Sequence, residues 1–361
     1  MFICQFFLLF LRANLSGIQE YRKDVVVSVV DKSLMILFVS VLLWTDLVPS
    51  GFSIYNFIYA QILAYFLAVF VVVVLLLKSK SPILKVNTVL LRGILNEIWP
   101  YALLGFLMLF YFKIDAVMIE RMLPDGDLQA GFYAQAYKLL EACVMFAVLF
   151  STLLFPMFSN LLKREKKVND LVSSSLGLLL IPSVLLCIIS CFYSSEIIEF
   201  LFDSNSIETV TTFPVLMFVL VPLAGSYIYG TLITAQGDLK LLNSISFIAL
   251  LLNVIGNYYA INHYGIAGAA AVTLVTQFFV FGVQFLVSRK RFGLETDSKL
   301  ILKASILVIL TAISAYFSKD FQAHWLLKFI VLLVGFTLLA VAAKLIRLNS
   351  LKTISEGSLA E

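Results

Sequence analysis

Apolar runs long enough to cross a bilayer succeed one another along almost the whole chain, separated by turns of a few polar residues. The pattern predicts helices at about 30–48, 54–77, 94–120, 132–158, 172–194, 211–234, 241–261, 266–288, 300–317 and 325–346. Crossing hydrocarbon takes about 20 predominantly apolar residues, and most of these runs have that length. No water is present in the bilayer core to satisfy backbone N–H and C=O groups, so the runs must be helical. The longest turn on the less basic side runs from about Ser195 to Val210 and leaves no room for a soluble domain. The fold class is therefore all-α: a polytopic transmembrane helical bundle with about ten full spans.

Met1–Leu11 is also apolar but too short to span, and it lacks the basic leader and small-residue cleavage site of a signal peptide. It reads as the inner end of a partial span. Counting in and out from there, a chain beginning in the cytoplasm would need an odd number of preceding spans, and three would bring the total to fourteen. Ala13–Ser33 mixes charge with Val-rich stretches, which suggests an amphipathic segment at the inner surface leading into the first full span.

Charge turns this list of helices into a topology. Arg12, Arg22, Lys23 and Lys32 form one basic set, Lys78, Lys80, Lys85 and Arg92 a second, and Lys163, Arg164, Lys166 and Lys167 a third. Lys240, then Arg289, Lys290, Arg291, Lys299 and Lys303, and finally Lys344, Arg347 and Lys352 follow, so that 21 of the 26 Lys and Arg fall on one side of the zigzag. The opposite turns carry Asp46, Asp125, Asp127, Glu196, Glu199, Asp203, Glu208 and Asp320, with Arg121 and Lys319 as their basic residues. Cytoplasmic loops retain Lys and Arg, so the basic side and the C-terminus are expected in the cytoplasm.

Composition adds exclusions. Hydrophobic residues make up 61% and charged residues 13% of the chain, well away from soluble-domain averages. The net charge of +4 is accounted for by the loops and gives no reason to expect a nucleic-acid partner. Cys4, Cys143, Cys187 and Cys191 lie in apolar runs without metal-like spacing, and His263 and His324 are far apart. No metal site, no cofactor and no catalytic residues are expected. Several helices carry breakers and small residues, among them Pro100, Pro156, Pro182, Pro214, Pro222 and the stretch Gly265-Ile266-Ala267-Gly268-Ala269-Ala270-Ala271. These serve either close helix packing or hinges for alternating access.

The candidate functional residues are ionisable groups inside spans, each of which is costly in hydrocarbon and so faces a partner or a wet cavity. They are Glu97, Lys113, Asp115, Glu120 and Arg121 in one span, and Lys138 with Glu141 in the next. Lys113 and Glu120 share a helix face, and Asp115 is turned well away from Lys113. Gln135, Lys138 and Glu141 form a stripe flanked by Tyr133 and Tyr137, in which Lys138 and Glu141 can also be a local ion pair. Lys113 lies about eight residues before the turn around Pro124–Ala130 and Lys138 about eight after it. Antiparallel helices would hold both ammonium groups at one depth, roughly 12 Å below the outer edge.

The stretch Tyr111-Phe112-Lys113-Ile114-Asp115-Ala116-Val117-Met118-Ile119 resembles the start of the second lobe of bacterial oligosaccharide flippases. So do Gly131-Phe132-Tyr133-Ala134-Gln135-Ala136-Tyr137-Lys138 and Leu154-Phe155-Pro156. These flippases are the Wzx-type O-antigen transporters of the MATE-like MOP superfamily. Leu11 to Gly17, Ala235-Gln236-Gly237-Asp238, Asn253 and Tyr264 to Ala270 are similar in the same way. The resemblance implies a two-lobe architecture. Residues 1–77 would end an incomplete first lobe, 94–288 would be a six-helix second lobe, 300–346 two accessory helices and 347–361 a cytoplasmic tail.

It further implies export of an undecaprenyl-diphosphate-linked oligosaccharide from the cytoplasmic to the periplasmic leaflet of the bacterial inner membrane. The glycan would be an O-antigen, capsule or exopolysaccharide, with polymerase machinery as a further partner. Lys113, Lys138 and Arg121 are then substrate-binding cations, and Asp115, Glu97 and Glu141 are candidates for proton or sodium coupling. A multidrug exporter of the same superfamily is the nearest rival, and it would favour cavity acids without accompanying lysines. A membrane-embedded polymerase or ligase would need a larger outer loop than this chain has.

Overall fold

The computed structural model describes residues 2–17, 20–44, 53–79, 88–203, 206–295 and 298–346. Among them every regular element is a helix: α1 (Phe2–Gly17), α2 (Tyr21–Trp44), α3 (Ile54–Ser79), α4 (Thr88–Met122), α5 (Gly126–Lys163), α6 (Asn169–Phe192), α7 (Ser194–Phe202), α8 (Ile207–Ala235), α9 (Leu239–Phe292), α10 (Ser298–Ser318) and α11 (Trp325–Ala342). Eight of these are long and apolar enough to cross a membrane. Large apolar side chains such as Phe6, Phe66, Trp99, Phe146 and Leu153 point outward. A soluble protein rarely tolerates so much exposed apolar surface, and hydrocarbon favours it. Asp46, Lys80, Lys85 and the tail 347–361 lie outside the described residues.

The expected spans fall on these helices with three differences. A separate surface segment before the first full span was expected, but α2 begins at Tyr21 and runs without interruption to Trp44. Its charges are neutralised where they stand: Arg12 Nε meets Asp24 Oδ1 at 2.7 Å, Lys23 meets Glu20 at 2.9 Å, and Lys32 meets Asp31 at 3.4 Å. Paired charges at a helix start do not force the chain to lie flat. The turn expected at 195–210 contains the short helix α7, whose Ile197 and Ile198 are buried.

The two spans expected at 241–261 and 266–288 form α9, which is broken at Gly265 (φ 58, ψ −142). That backbone conformation is open essentially to glycine. The two arms fold back on each other. A Cβ on Gly268 would lie 2.3 Å from the Ala260 carbonyl oxygen, and one on Gly256 would lie 2.8 Å from Val272 Cγ1. Small residues thus serve close approach at this hairpin.

The chain forms two compact units, Met1–Leu91 and Arg92–Glu361. In the first, Leu8, Leu11, Leu15, Val27, Tyr65, Ala68 and Val72 form the core between α1, α2 and α3. In the second, α8 lies against α5, α6 and α9, and α10 and α11 pack on α6. Its main core gathers Ile119, Tyr133, Leu185, Tyr193, Leu216, Met217 and Phe336, and Tyr193 and Ser318 share a 2.5 Å hydrogen bond.

Helix ends are finished locally. Ser206 caps α8 by accepting from the Thr209 N–H, Asp238 caps α9 by accepting from Leu241, and His324 Nδ1 caps α11 by accepting from Leu326. At the basic end of the hairpin, Arg291 donates to Asp238 Oδ2 at 2.6 Å and to Gln236 at 3.3 Å. This guanidinium, together with the Leu241 N–H, holds the Asp238 carboxyl below the usual carboxylate range.

Candidate functional site

Helices α4 and α5 are antiparallel neighbours in the second unit, and their contacts march in opposite directions along the two. Tyr133 Oη donates to Asp115 Oδ2 at 2.9 Å, Tyr137 Oη donates to the Phe112 carbonyl at 3.0 Å, and Lys113 Nζ donates to Glu141 Oε1. Tyr111, Asp115 and Ile119 recur every fourth residue on α4 and are buried, while Lys113 faces the other way. The turn between the helices is tight, with Asp125 in the left-handed region.

The outward face carries a three-residue charge cluster. Glu141 receives Lys113 on one carboxylate oxygen and Lys138 on the other, the second at 2.7 Å. The Lys113 ammonium also stands 5.0 Å from the Tyr137 ring centroid. The side chains are 52% exposed for Lys113, 70% for Lys138 and 33% for Glu141, so another molecule can reach them. The lysines were expected at one depth, and the structure brings both to the same carboxylate. Two cations and one anion leave this patch with a single positive charge. Buried entirely in hydrocarbon such a patch would be prohibitive, so it belongs beside water or an anionic ligand.

The inward face holds a second site, two residues away along α4. Asp115 is 1% exposed. Its Oδ1 accepts from Asn257 Nδ2 at 2.6 Å, and its Oδ2 accepts from Tyr133 at 2.9 Å and Thr273 Oγ1 at 2.5 Å. Asn257 and Thr273 come from opposite arms of the α9 hairpin, so the break at Gly265 is what brings both to one carboxylate. Asn257 Nδ2 also meets Asn253 Oδ1 at 3.1 Å, while Asn257 Oδ1 and Gln277 Oε1 are buried without a partner. Among the described residues no cationic side chain pairs with Asp115. A buried carboxylate surrounded by neutral donors and spare amide oxygens can hold one positive charge, either a proton or a small hard cation.

Not every expected residue joins these two groups. Glu97 is exposed on α4, and Glu120 and Arg121 are exposed near its outer end, away from both. Asn257 and Thr273 were not expected. Their signal was present, since Asn253 with Asn257 and Thr273 with Gln277 stand at four-residue spacing inside apolar runs, where uncharged polar groups also need partners. No group of three or more His, Cys, Asp or Glu that could hold a metal ion occurs among the described residues, and all four cysteines are free thiols.

Fold and site together define a multi-pass membrane protein with ionisable side chains brought together inside its helical bundle. Residues 1–162 match the family described as polysaccharide biosynthesis protein. That stretch contains Lys113, Asp115, Tyr133, Lys138 and Glu141. A solved structure of the lipid II flippase MurJ, in an inward closed conformation, has the same fold with a TM-score of 0.69 at 18% identity. The match covers 94% of this chain and 72% of that one. No curated protein matches the chain. The likeness to that structure shows the fold, a polytopic helical bundle of the MurJ type.

Proposed function

We propose that this chain moves an undecaprenyl-diphosphate-linked oligosaccharide across the bacterial inner membrane, from the cytoplasmic to the periplasmic leaflet. The carrying observation is the convergence of Lys113 and Lys138 on one acceptor position, at which each carboxylate oxygen of Glu141 takes one ammonium. A diphosphate presents several oxygens and more than one negative charge, and paired ammonium groups at one level suit it. Arg121, exposed near the outer end of α4, would assist at the periplasmic side. The reading places the basic helix ends and the C-terminus in the cytoplasm. O-antigen, capsule and exopolysaccharide precursors all have the required chemistry, and a polysaccharide polymerase would receive the product.

The Asp115 cluster is the coupling site in this reading. It takes up a proton or a sodium ion from one side and releases it to the other as the helices rearrange. Asp115 displaces Glu97 and Glu141 as the coupling candidate, because Glu97 stands apart and Glu141 is engaged by two lysines. The exposed lysines lean against a multidrug exporter, since a cationic drug would be repelled by the patch.

Complementation of a strain lacking its flippase tests the substrate role. Lys113→Ala and Lys138→Ala should each abolish or sharply reduce glycan export at unchanged membrane abundance, and Lys→Arg should retain more. Normal export by both alanine variants would sink the diphosphate role.

A further inference from the structure

Glu141 has a place in the cycle that the attraction of phosphate for lysine does not itself require. Its two carboxylate oxygens occupy the positions between Lys113 and Lys138 where the oxygens of an anionic ligand would sit. Three features make the arrangement exchangeable. Glu141 lies three residues from Lys138 on α5, so a rotamer change withdraws it without moving a helix. Lys113 keeps a second support when the carboxylate leaves, since its ammonium stands over the Tyr137 ring and Tyr137 is tied to the Phe112 carbonyl. All three charged side chains are solvent- or ligand-accessible, so exchange needs no unfolding.

We propose that Glu141 is a built-in competitor for the lysine pair, which the substrate's phosphates must displace on binding and which returns to expel them after translocation. The inference rests on the diphosphate reading above and adds a selection rule to it. A headgroup with one negative charge merely replaces one carboxylate by another anion and gains little. A diphosphate, with more charge and more acceptor oxygens, outcompetes it. Glu141 would thus reject singly charged phosphodiester lipids, which are abundant in the same membrane, and would keep the diphosphate from being held too tightly to leave.

The test uses the purified full chain in lipid nanodiscs, with inorganic pyrophosphate and dimethyl phosphate as probes. Wild type should bind pyrophosphate and ignore dimethyl phosphate. Glu141→Gln should bind pyrophosphate about tenfold or more tighter, the scale of one lost charge-assisted competitor, and should gain binding of dimethyl phosphate. Glu141→Asp keeps the charge while shortening the reach to Lys113, so it guards against a folding defect and should fall between the two. In cells, both variants should export more slowly despite tighter binding. Pyrophosphate affinities unchanged or weakened in both folded variants would overturn the competitor role. Failure of the underlying reading looks different: Lys113→Ala placed on Glu141→Gln would then leave the enhanced pyrophosphate binding intact.

Discussion

Lys113 and Asp115 are two residues apart on one helix, yet they are handled in opposite ways. The lysine looks outward and is paired with a carboxylate that also serves a second lysine. The aspartate looks inward and is surrounded by neutral hydroxyl and amide donors from three segments. An ion pair at an accessible face contributes little to stability and exchanges partners easily. A buried carboxylate held by neutral groups is costly to disturb and responds to gain or loss of a single positive charge. In the proposed reading the first arrangement serves binding and release of a large anion and the second serves coupling, and both lie on α4.

Variants that separate stability from transport test this contrast. The largest effect is expected from Asp115→Ala, which strands Asn257 and Thr273 and leaves a cavity. It should lower stability by about 2–4 kcal/mol and abolish export, read by thermal unfolding in detergent and by complementation. Asp115→Asn keeps the shape, so it should recover much of the stability and none of the coupling. If it transports normally, the coupling role is wrong.

Next comes Thr273→Val, which removes one donor to Asp115 Oδ2 without changing volume much. A loss of about 1–3 kcal/mol is expected, with a changed dependence of export on the ion gradient. On the other face, Lys113→Ala and Lys138→Ala should shift stability by no more than about 1 kcal/mol while still impairing export, because their pairs are exposed and screened. A stability loss as large as that of Asp115→Ala would erase the distinction between the two faces.

The smallest effect concerns the Arg291–Asp238 clasp. The carboxyl there is held below its ordinary range, so the stability it contributes is complete at neutral pH and is lost as pH falls through the lowered value, below about pH 4. Hydrogen exchange at residues 236–241 should accelerate only in that acid range in wild type. In Arg291→Ala it should be faster already at neutral pH.

Much of this architecture was legible in the sequence because bilayer thickness constrains helices so tightly. Apolar run lengths located α3, α5, α6, α8 and α11 closely, and both arms of α9 were expected, although as two separate spans and without the break at Gly265. The continuous α2 was missed because sequence reading treats Arg22, Asp24 and Lys32 as obstacles, whereas long-range pairing with Arg12 neutralises part of that charge. At the site, the ionisable residues announced themselves by their cost in hydrocarbon. Lys113 and Lys138 could also be placed at one depth, since a tight turn fixes the register of two antiparallel helices, and Glu141 beside Lys138 by its three-residue spacing. That Glu141 also takes Lys113 could not be read this way. The partners of Asp115 could not, because Asn257 and Thr273 lie more than 140 residues away and nothing local specifies how the α9 hairpin docks against α4.

The break at Gly265 also has a consequence for how the protein is made. The two arms of α9 have almost no loop between them, so neither can settle across the bilayer while the other waits outside it. Entering the bilayer as a pair, they pack through the small-residue seam at Gly256, Ala260 and Gly268, which sets Asn257 and Thr273 toward the same carboxylate. Two of the three donors to Asp115 are thereby supplied by one hairpin, whatever the packing of the rest of the second unit.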